Sequence, residues 1–127
     1  MRLLLDTHAL IWWWADSKAI QGTDAAQAIA GGGDIFVSAA TAWEIATKHR
    51  LGKLDPGPAL DRFEESLVRS GFVPLQIEIA HALRAGGYAI PNADPFDRML
   101  AAQAELEDLT LVSRDPAFAA FPCRILW

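Results

Sequence analysis

Arg2-Leu3-Leu4-Leu5-Asp6-Thr7-His8 opens the chain with a short apolar run, an acid directly behind it, and a helix-compatible segment that continues through Trp14. An apolar run this short, bounded by polar residues, reads as a buried strand feeding a helix. The scheme repeats outward from there. Ile35-Phe36-Val37 follows the Gly31-Gly32-Gly33 break and leads through Ser38 into a helical stretch from Ala39 to Leu51, which stops at Gly52 with Lys48, His49 and Arg50 in its last turn. Asp55-Pro56-Gly57-Pro58 predicts a turn, Ala59 to Arg69 a helix, Phe72-Val73-Pro74-Leu75 a short strand, and Ile77 to Ala85 a helix ended by Gly86-Gly87. Asp94-Pro95 opens a helix to about Asp108, with proline at the first helical position, where its missing N–H does no harm. Thr110-Leu111-Val112-Ser113 predicts a fourth strand, Asp115-Pro116 one helical turn, and Arg124-Ile125-Leu126-Trp127 a fifth, edge strand.

Apolar strands alternating with helices predict an α/β fold with a mostly parallel, roughly five-stranded sheet covered on both faces. The 127 residues fit a single domain spanning 1–127. With 52% hydrophobic and 21% charged residues, no stretch has the composition of a disordered tail. The apolar run Leu3-Leu4-Leu5 falls far short of the roughly 20 residues a membrane span needs, and no signal peptide is readable. The single cysteine, Cys123, cannot form an internal disulfide or a structural zinc site. These features predict a cytoplasmic protein.

The formal net charge of −5 argues against binding nucleic acid through a broad basic surface, because such binding needs Lys and Arg to neutralise phosphates. That objection weakens if the acids share one pocket, where bound cations become the largest local charges and reverse its sign toward phosphate. In open parallel sheets the ligand crevice lies beyond the carboxyl ends of the strands. Asp6 follows the first strand and Asp115 lies just past the fourth, while Glu44 and Asp97 lie near the N-terminal ends of helices entering from the same edge. Four carboxylates crowded in one cleft repel one another unless some protonate or cations bind between them. An all-oxygen ligand set selects Mg²⁺ or Mn²⁺, and the chemistry implied is phosphodiester hydrolysis.

Each acid also has a structural explanation. Asp94 before Pro95 and Asp115 before Pro116 are good N-caps, Asp97 sits where the helix dipole favours an anion, and Thr41 with Glu44 has capping-box spacing. Capping explains Asp6 least well, since Thr7 behind it is the better cap candidate.

Four stretches together carry a family resemblance: LLLDTHALIWW at Leu3 to Trp13, SAATAWEIATKHRLGKL at Ser38 to Leu54, DPFDRMLAAQA at Asp94 to Ala104, and LTLVSRDPAFAAFPCRILW from Leu109 onward. Over essentially its whole length the chain resembles the PIN-domain ribonucleases, in particular VapC-type toxins of bacterial toxin–antitoxin pairs. The resemblance implies a PIN-like three-layer α/β/α fold and an acidic Mg²⁺ or Mn²⁺ site that cuts RNA. It places the family's acids on Asp6, Glu44, Asp97 and Asp115, as catalytic and metal-binding residues, and implies a cognate antitoxin and a homodimer as partners. Related members often carry histidine just before the DPFDR stretch, where this chain has Asn92-Ala93.

Around the acids, Thr7 and Ser113 are candidates to hydrogen-bond a site carboxylate or water, with plain capping as the competing role of Thr7. Arg98 is placed to reach a substrate phosphate or to make a local ion pair. Lys48, His49 and Arg50 are sufficiently explained by the helix dipole. His8 lines the cleft, and neither it nor His81 has the companions zinc requires. Trp12, Trp13 and Trp14 point roughly 100° apart on one helix, so at least one is expected on the surface or in an interface. Two other readings stay open: an aspartyl-phosphate phosphatase or receiver-like domain, against which Asp6-Thr7-His8 lacks the second acid of a DxD motif, and a non-catalytic binding module whose acids only cap helices.

Overall fold

Leu3, Leu4 and Leu5 are all fully buried, and their alternation sets the layers of the computed structural model, which describes residues 1–55 and 60–127. In β1 (Arg2–Leu5), Leu3 and Leu5 join one core cluster and Leu4 the other, as the period of two in a strand requires. β1 runs parallel to both β2 (Asp34–Ser38) and β4 (Thr110–Val112), with β3 (Val73–Leu75) beside β2 and β5 (Arg124–Leu126) beside β4. The sheet is therefore five-stranded and parallel throughout, in the order β3-β2-β1-β4-β5.

On the Leu3 and Leu5 face pack α1 (Thr7–Trp14), α2 (Asp24–Ala30) and α4 (Phe63–Ser70), through Ala9, Leu10, Ala25, Ile29 and Leu67. On the Leu4 face pack α5 (Ile79–Gly87), α6 (Pro95–Leu106) and a short 3-10 helix, Pro116–Ala120. α3 (Ala39–Arg50) adds Ile45 to the first cluster and touches both α1 and α6, so it closes one end of the sheet. Truncating any of the three leucines to alanine would cost about 2–5 kcal/mol. Among the described residues no helix is long and apolar enough to cross a membrane.

The boundaries differ from the sequence expectation in instructive places. α2 forms over an alanine-rich stretch with no strong apolar period, capped by Thr23, whose side chain accepts the Ala26 N–H at 3.1 Å. Gly86-Gly87 does not end α5 but lies within its last turn. α6 stops at Leu106 because Asp108 adopts a left-handed conformation, φ 55°, a geometry aspartate tolerates better than most residues. α4 begins at Phe63, later than expected; the turn expected at Asp55-Pro56-Gly57-Pro58 beyond Asp55, and Ala59, lie outside the described residues. Gly33 is required where it stands: φ is 103°, and a Cβ there would sit 2.7 Å from the Met1 carbonyl oxygen.

Candidate active site

Strand order reverses at β1, with β2 on one side and β4 on the other, so the crevice opens beyond the carboxyl ends of β1 and β4. Asp6 stands there, its own N–H still donating to the Val112 carbonyl at 3.0 Å. Its side chain is buried, and Oδ1 accepts the Ala9 N–H at 2.7 Å. Asp6 is thus the N-cap of α1, and the expectation that Thr7 would take that role is corrected. Capping therefore explains Asp6 after all. The Ser113 side chain lies close enough to Asp6 to favour its ionised form. Burial pushes the Asp6 pKa above the usual carboxylate range, the Glu44 charge adds to this, and Ser113 and the hydrogen bond from Ala9 together with His8 oppose it.

Thr7 is free to do something else. Its Oγ1 donates to Glu44 Oε1 at 2.5 Å and lies 3.3 Å from Thr41 Oγ1, all in buried surroundings. The capping-box reading of Thr41 and Glu44 does not hold: Ser38 caps α3 by accepting the Ala40 N–H at 2.9 Å, which leaves both residues inside the helix and facing α1. Glu44 Oε2 pairs with Lys48 Nζ at 2.5 Å. Lys48 thus has a specific partner beyond the helix dipole, and its i, i+4 spacing from Glu44 was the signal for it.

Asp97 lies in the first turn of α6, half-buried, and Asn92 Nδ2 donates to its Oδ2 at 3.2 Å. Burial pushes its pKa up to about 6 against the Asn92 hydrogen bond, with Asp94, Asp115 and Glu44 adding repulsion. Asn92, just before the DPFDR stretch, therefore touches the Asp97 carboxylate directly. Asp115 is exposed and caps the 3-10 helix, Oδ1 accepting the Ala117 N–H at 2.9 Å, while its N–H donates to Ser113 Oγ at 3.0 Å. Asp94 is a cap as expected, accepting the N–H groups of Phe96 and Asp97.

Arg98 does neither of the things its neighbourhood suggested. Its guanidinium donates to the carbonyls of Ala85, Tyr88, Ile90 and Asn92 at 2.6–2.8 Å, stapling the end of α5 and the following loop to α6. Four of five donors are so occupied, which leaves no fork for a phosphate. The three adjacent tryptophans diverge as expected, none of them fully buried. Trp12, Trp13 and Trp14 are each half-buried: Trp12 meets Trp127, Trp14 meets Phe63 and donates Nε1–H to Ser70 Oγ at 2.8 Å, and Trp13 packs on the core. Three successive positions find three different neighbours. The tryptophan at the surface is Trp43, 54% exposed and edge-on to Phe96 at 4.6 Å.

The donor set of the crevice is carboxylate and hydroxyl oxygen, which suits a hard cation and not zinc. Among the described residues no three acidic, histidine or cysteine side chains form a ready-made metal cage.

The family profile described as PIN domain matches residues 3–122. The chain belongs to the PIN domain family. This PIN domain is 45% identical over 56 residues to Ribonuclease VapC16 of Mycobacterium tuberculosis (strain ATCC 25618 / H37Rv), a stretch covering 42% of this chain and 40% of that relative's length. Solved structures share the fold across 98% of the chain. A toxin–antitoxin complex from Klebsiella pneumoniae aligns at TM-score 0.67 with 22% identity over 96% of its chain. DNA-bound VapBC from Salmonella typhimurium aligns at 0.69 with 18% identity, again over 96% of its chain. VapBC2 from Rickettsia felis, bound to a DNA fragment from its promoter, aligns at 0.65 with 16% identity over 97%.

Proposed function

We propose that this PIN domain is a Mg²⁺- or Mn²⁺-dependent endoribonuclease that hydrolyses RNA phosphodiester bonds and serves as the toxin of a type II toxin–antitoxin pair. The observation that carries the reading is the convergence of the acids beyond the carboxyl ends of β1 and β4. Asp6 and Asp115 follow the neighbouring parallel strands β1 and β4, and the Thr7 hydrogen bond ties Glu44 to the same crevice; burial raises the Asp97 pKa, and Asp94, Asp115 and Glu44 add to it. The name of the Mycobacterium tuberculosis relative supports the activity, and the toxin–antitoxin assemblies among the structural neighbours support a cognate antitoxin as partner.

The chain's own residues prepare the crevice. The Ala9 N–H fixes the Asp6 carboxylate, Thr7 and Lys48 fix Glu44, Asn92 fixes Asp97 and the Ala117 N–H fixes Asp115, so each acid is oriented before anything binds. Burial of Asp6 and Glu44 keeps solvent from screening their charge. Asp6, Glu44, Asp97 and Asp115 would hold the cation. When bound, such an ion supplies the positive charge that attracts a phosphodiester and the Lewis acidity that makes water nucleophilic near neutral pH. A homodimer and a cytoplasmic location belong to the same reading. Ile79 and Leu83, one turn apart on α5 and 80% and 73% exposed, support the homodimer as apolar surface to be covered.

Incubation with single-stranded RNA tests the proposal. Cleavage is expected with Mn²⁺, is stopped by EDTA, and disappears in Asp6→Asn and Asp97→Asn while circular dichroism stays unchanged. Asparagine caps a helix as well as aspartate does, so Asp6→Asn removes the charge and keeps the fold. Cleavage retained in both variants would overturn the reading.

A further inference from the structure

The crevice attracts cations, and a nucleic acid strand must still be held beside it. Three basic groups stand close by, and two are already engaged: Lys48 with Glu44, and Arg98 with four backbone carbonyls. Arg114 differs. It sits between Ser113 and Asp115, whose N–H donates to Ser113 Oγ, directly beyond β4 and beside the end of β1 that carries Asp6. The residue is exposed, yet its guanidinium makes no hydrogen bond or ion pair with any described residue, its neighbour Asp115 included. Instead the guanidinium carbon lies 4.4 Å from the Trp12 ring centroid and 6.0 Å from that of Trp127.

Stacking of this kind orients a guanidinium while leaving its edge open, because the aromatic rings take the face of the planar group and none of its five N–H donors. Trp12 is itself held, edge-on to Trp127 at 5.7 Å and against the exposed His8 ring at 5.4 Å. His8 stands in the first turn of α1, two residues after its cap Asp6, which ties the aromatic group to the crevice. The result is a preorganised fork with unused donors at the rim of a negatively charged cleft. A solvated surface arginine spends rotamer entropy to grip a ligand; this one has surrendered part of that entropy already.

We propose that Arg114, stacked on Trp12, grips a backbone phosphate of the single-stranded RNA next to the phosphate in the acidic crevice, as a substrate-binding residue. This deepens the nuclease reading and rests on it for the identity of the ligand. The match is one of charge and shape: a planar fork takes two phosphate oxygens at once, and a phosphate there meets the positive rim and avoids the carboxylates. A protein partner with an acidic segment offers similar chemistry, and the test separates the two.

The test reads binding without cleavage. A fluorescein-labelled, unstructured 12-mer RNA is titrated by anisotropy, at several salt concentrations, with protein carrying Asp97→Asn so that the RNA stays intact. Adding Arg114→Ala is expected to weaken binding about tenfold and to flatten the dependence of log K on log salt by about 0.7, the contribution of one single-strand phosphate contact. Arg114→Lys is expected to restore the salt slope and only part of the affinity, since the charge returns without the fork. Melting temperature should stay unchanged in both. Unchanged RNA affinity and salt slope in Arg114→Ala would overturn the inference, as would a glutamate-rich 12-mer peptide that binds more tightly than the RNA and loses more on the substitution. If the wild-type chain binds RNA through Arg114 but does not cut it, the inference stands and the nuclease reading falls. If it cuts RNA and Arg114→Ala changes neither affinity nor slope, the reverse holds.

Discussion

Thr7 Oγ1 donates a 2.5 Å hydrogen bond to Glu44 Oε1, joining the first residue of α1 to the second turn of α3. Both residues are buried, so the bond holds a carboxylate in place where water cannot substitute. Thr7→Val keeps the shape and removes the donor. The expected loss is about 1.5–3 kcal/mol, the usual value of a hydrogen bond to a charged group. Urea unfolding checks it: the midpoint should fall with the slope unchanged, and Thr7→Ser should recover most of the loss.

Asp97 links the site to stability. Its folded pKa of about 6 lies above its ordinary value of 3.8, so between those values the folded state binds more protons than the unfolded one. The contribution is fully present below pH 3.8 and is lost as pH rises through 6. In metal-free protein Asp97→Asn is therefore expected to raise the melting temperature by a few degrees at pH 7.5 relative to wild type, with the gain vanishing near pH 3.5. A gain of equal size at both pH values would contradict the assignment.

The same proton must leave before Asp97 can hold a cation, because a carboxylate ligates only when ionised. At limiting Mn²⁺, RNA cleavage is expected to rise about tenfold between pH 5 and pH 7, bending near pH 6, with the bend moving lower as Mn²⁺ saturates. Rates measured across pH at two metal concentrations check both statements.

Arg98 is expected to behave as a structural staple. Arg98→Lys keeps the charge but cannot reach four carbonyls from one planar group, and should cost about 2–4 kcal/mol. Hydrogen exchange should quicken at residues 85–92, and Asn92 should lose its hold on Asp97, lowering Mn²⁺ affinity with it. A variant with wild-type exchange rates would contradict this role.

Much of the fold was legible because its signals are local. Leu3-Leu4-Leu5 and Ile35-Phe36-Val37 read as buried strands, and Asp94-Pro95 as a helix start, since hydrophobic runs and cap chemistry act within a few residues. α2 was not legible as an element, because its alanines offer little apolar contrast and its capping depends on Thr23. The placement of the four candidate acids behind strands and near helix starts was legible, but the bonds they make were not. Whether Asp6 or Thr7 caps α1 is decided by Glu44, 37 positions from Thr7 along the chain, which gives the Thr7 hydroxyl a better partner than its own helix. Arg98 followed the same logic: its carbonyl partners lie in a loop whose path only the packing of α5 on α6 defines. Gly86-Gly87 misled for that reason, because the staple to Ala85 and Tyr88 keeps helical a pair that in isolation would end the helix.

We propose that the crevice lined by Asp6, Glu44, Asp97 and Asp115 takes a divalent cation, with water completing the shell around its carboxylate ligands. Calorimetric titration of Mn²⁺ into the chain at pH 7.5 tests it most directly, with Asp6→Asn and Asp97→Asn proteins of unchanged circular dichroism alongside. Binding at micromolar to sub-millimolar Mn²⁺ in the wild type, lost or weakened at least tenfold in each variant, is the predicted result. No heat of binding up to millimolar Mn²⁺, or equal binding in all three proteins, would contradict it.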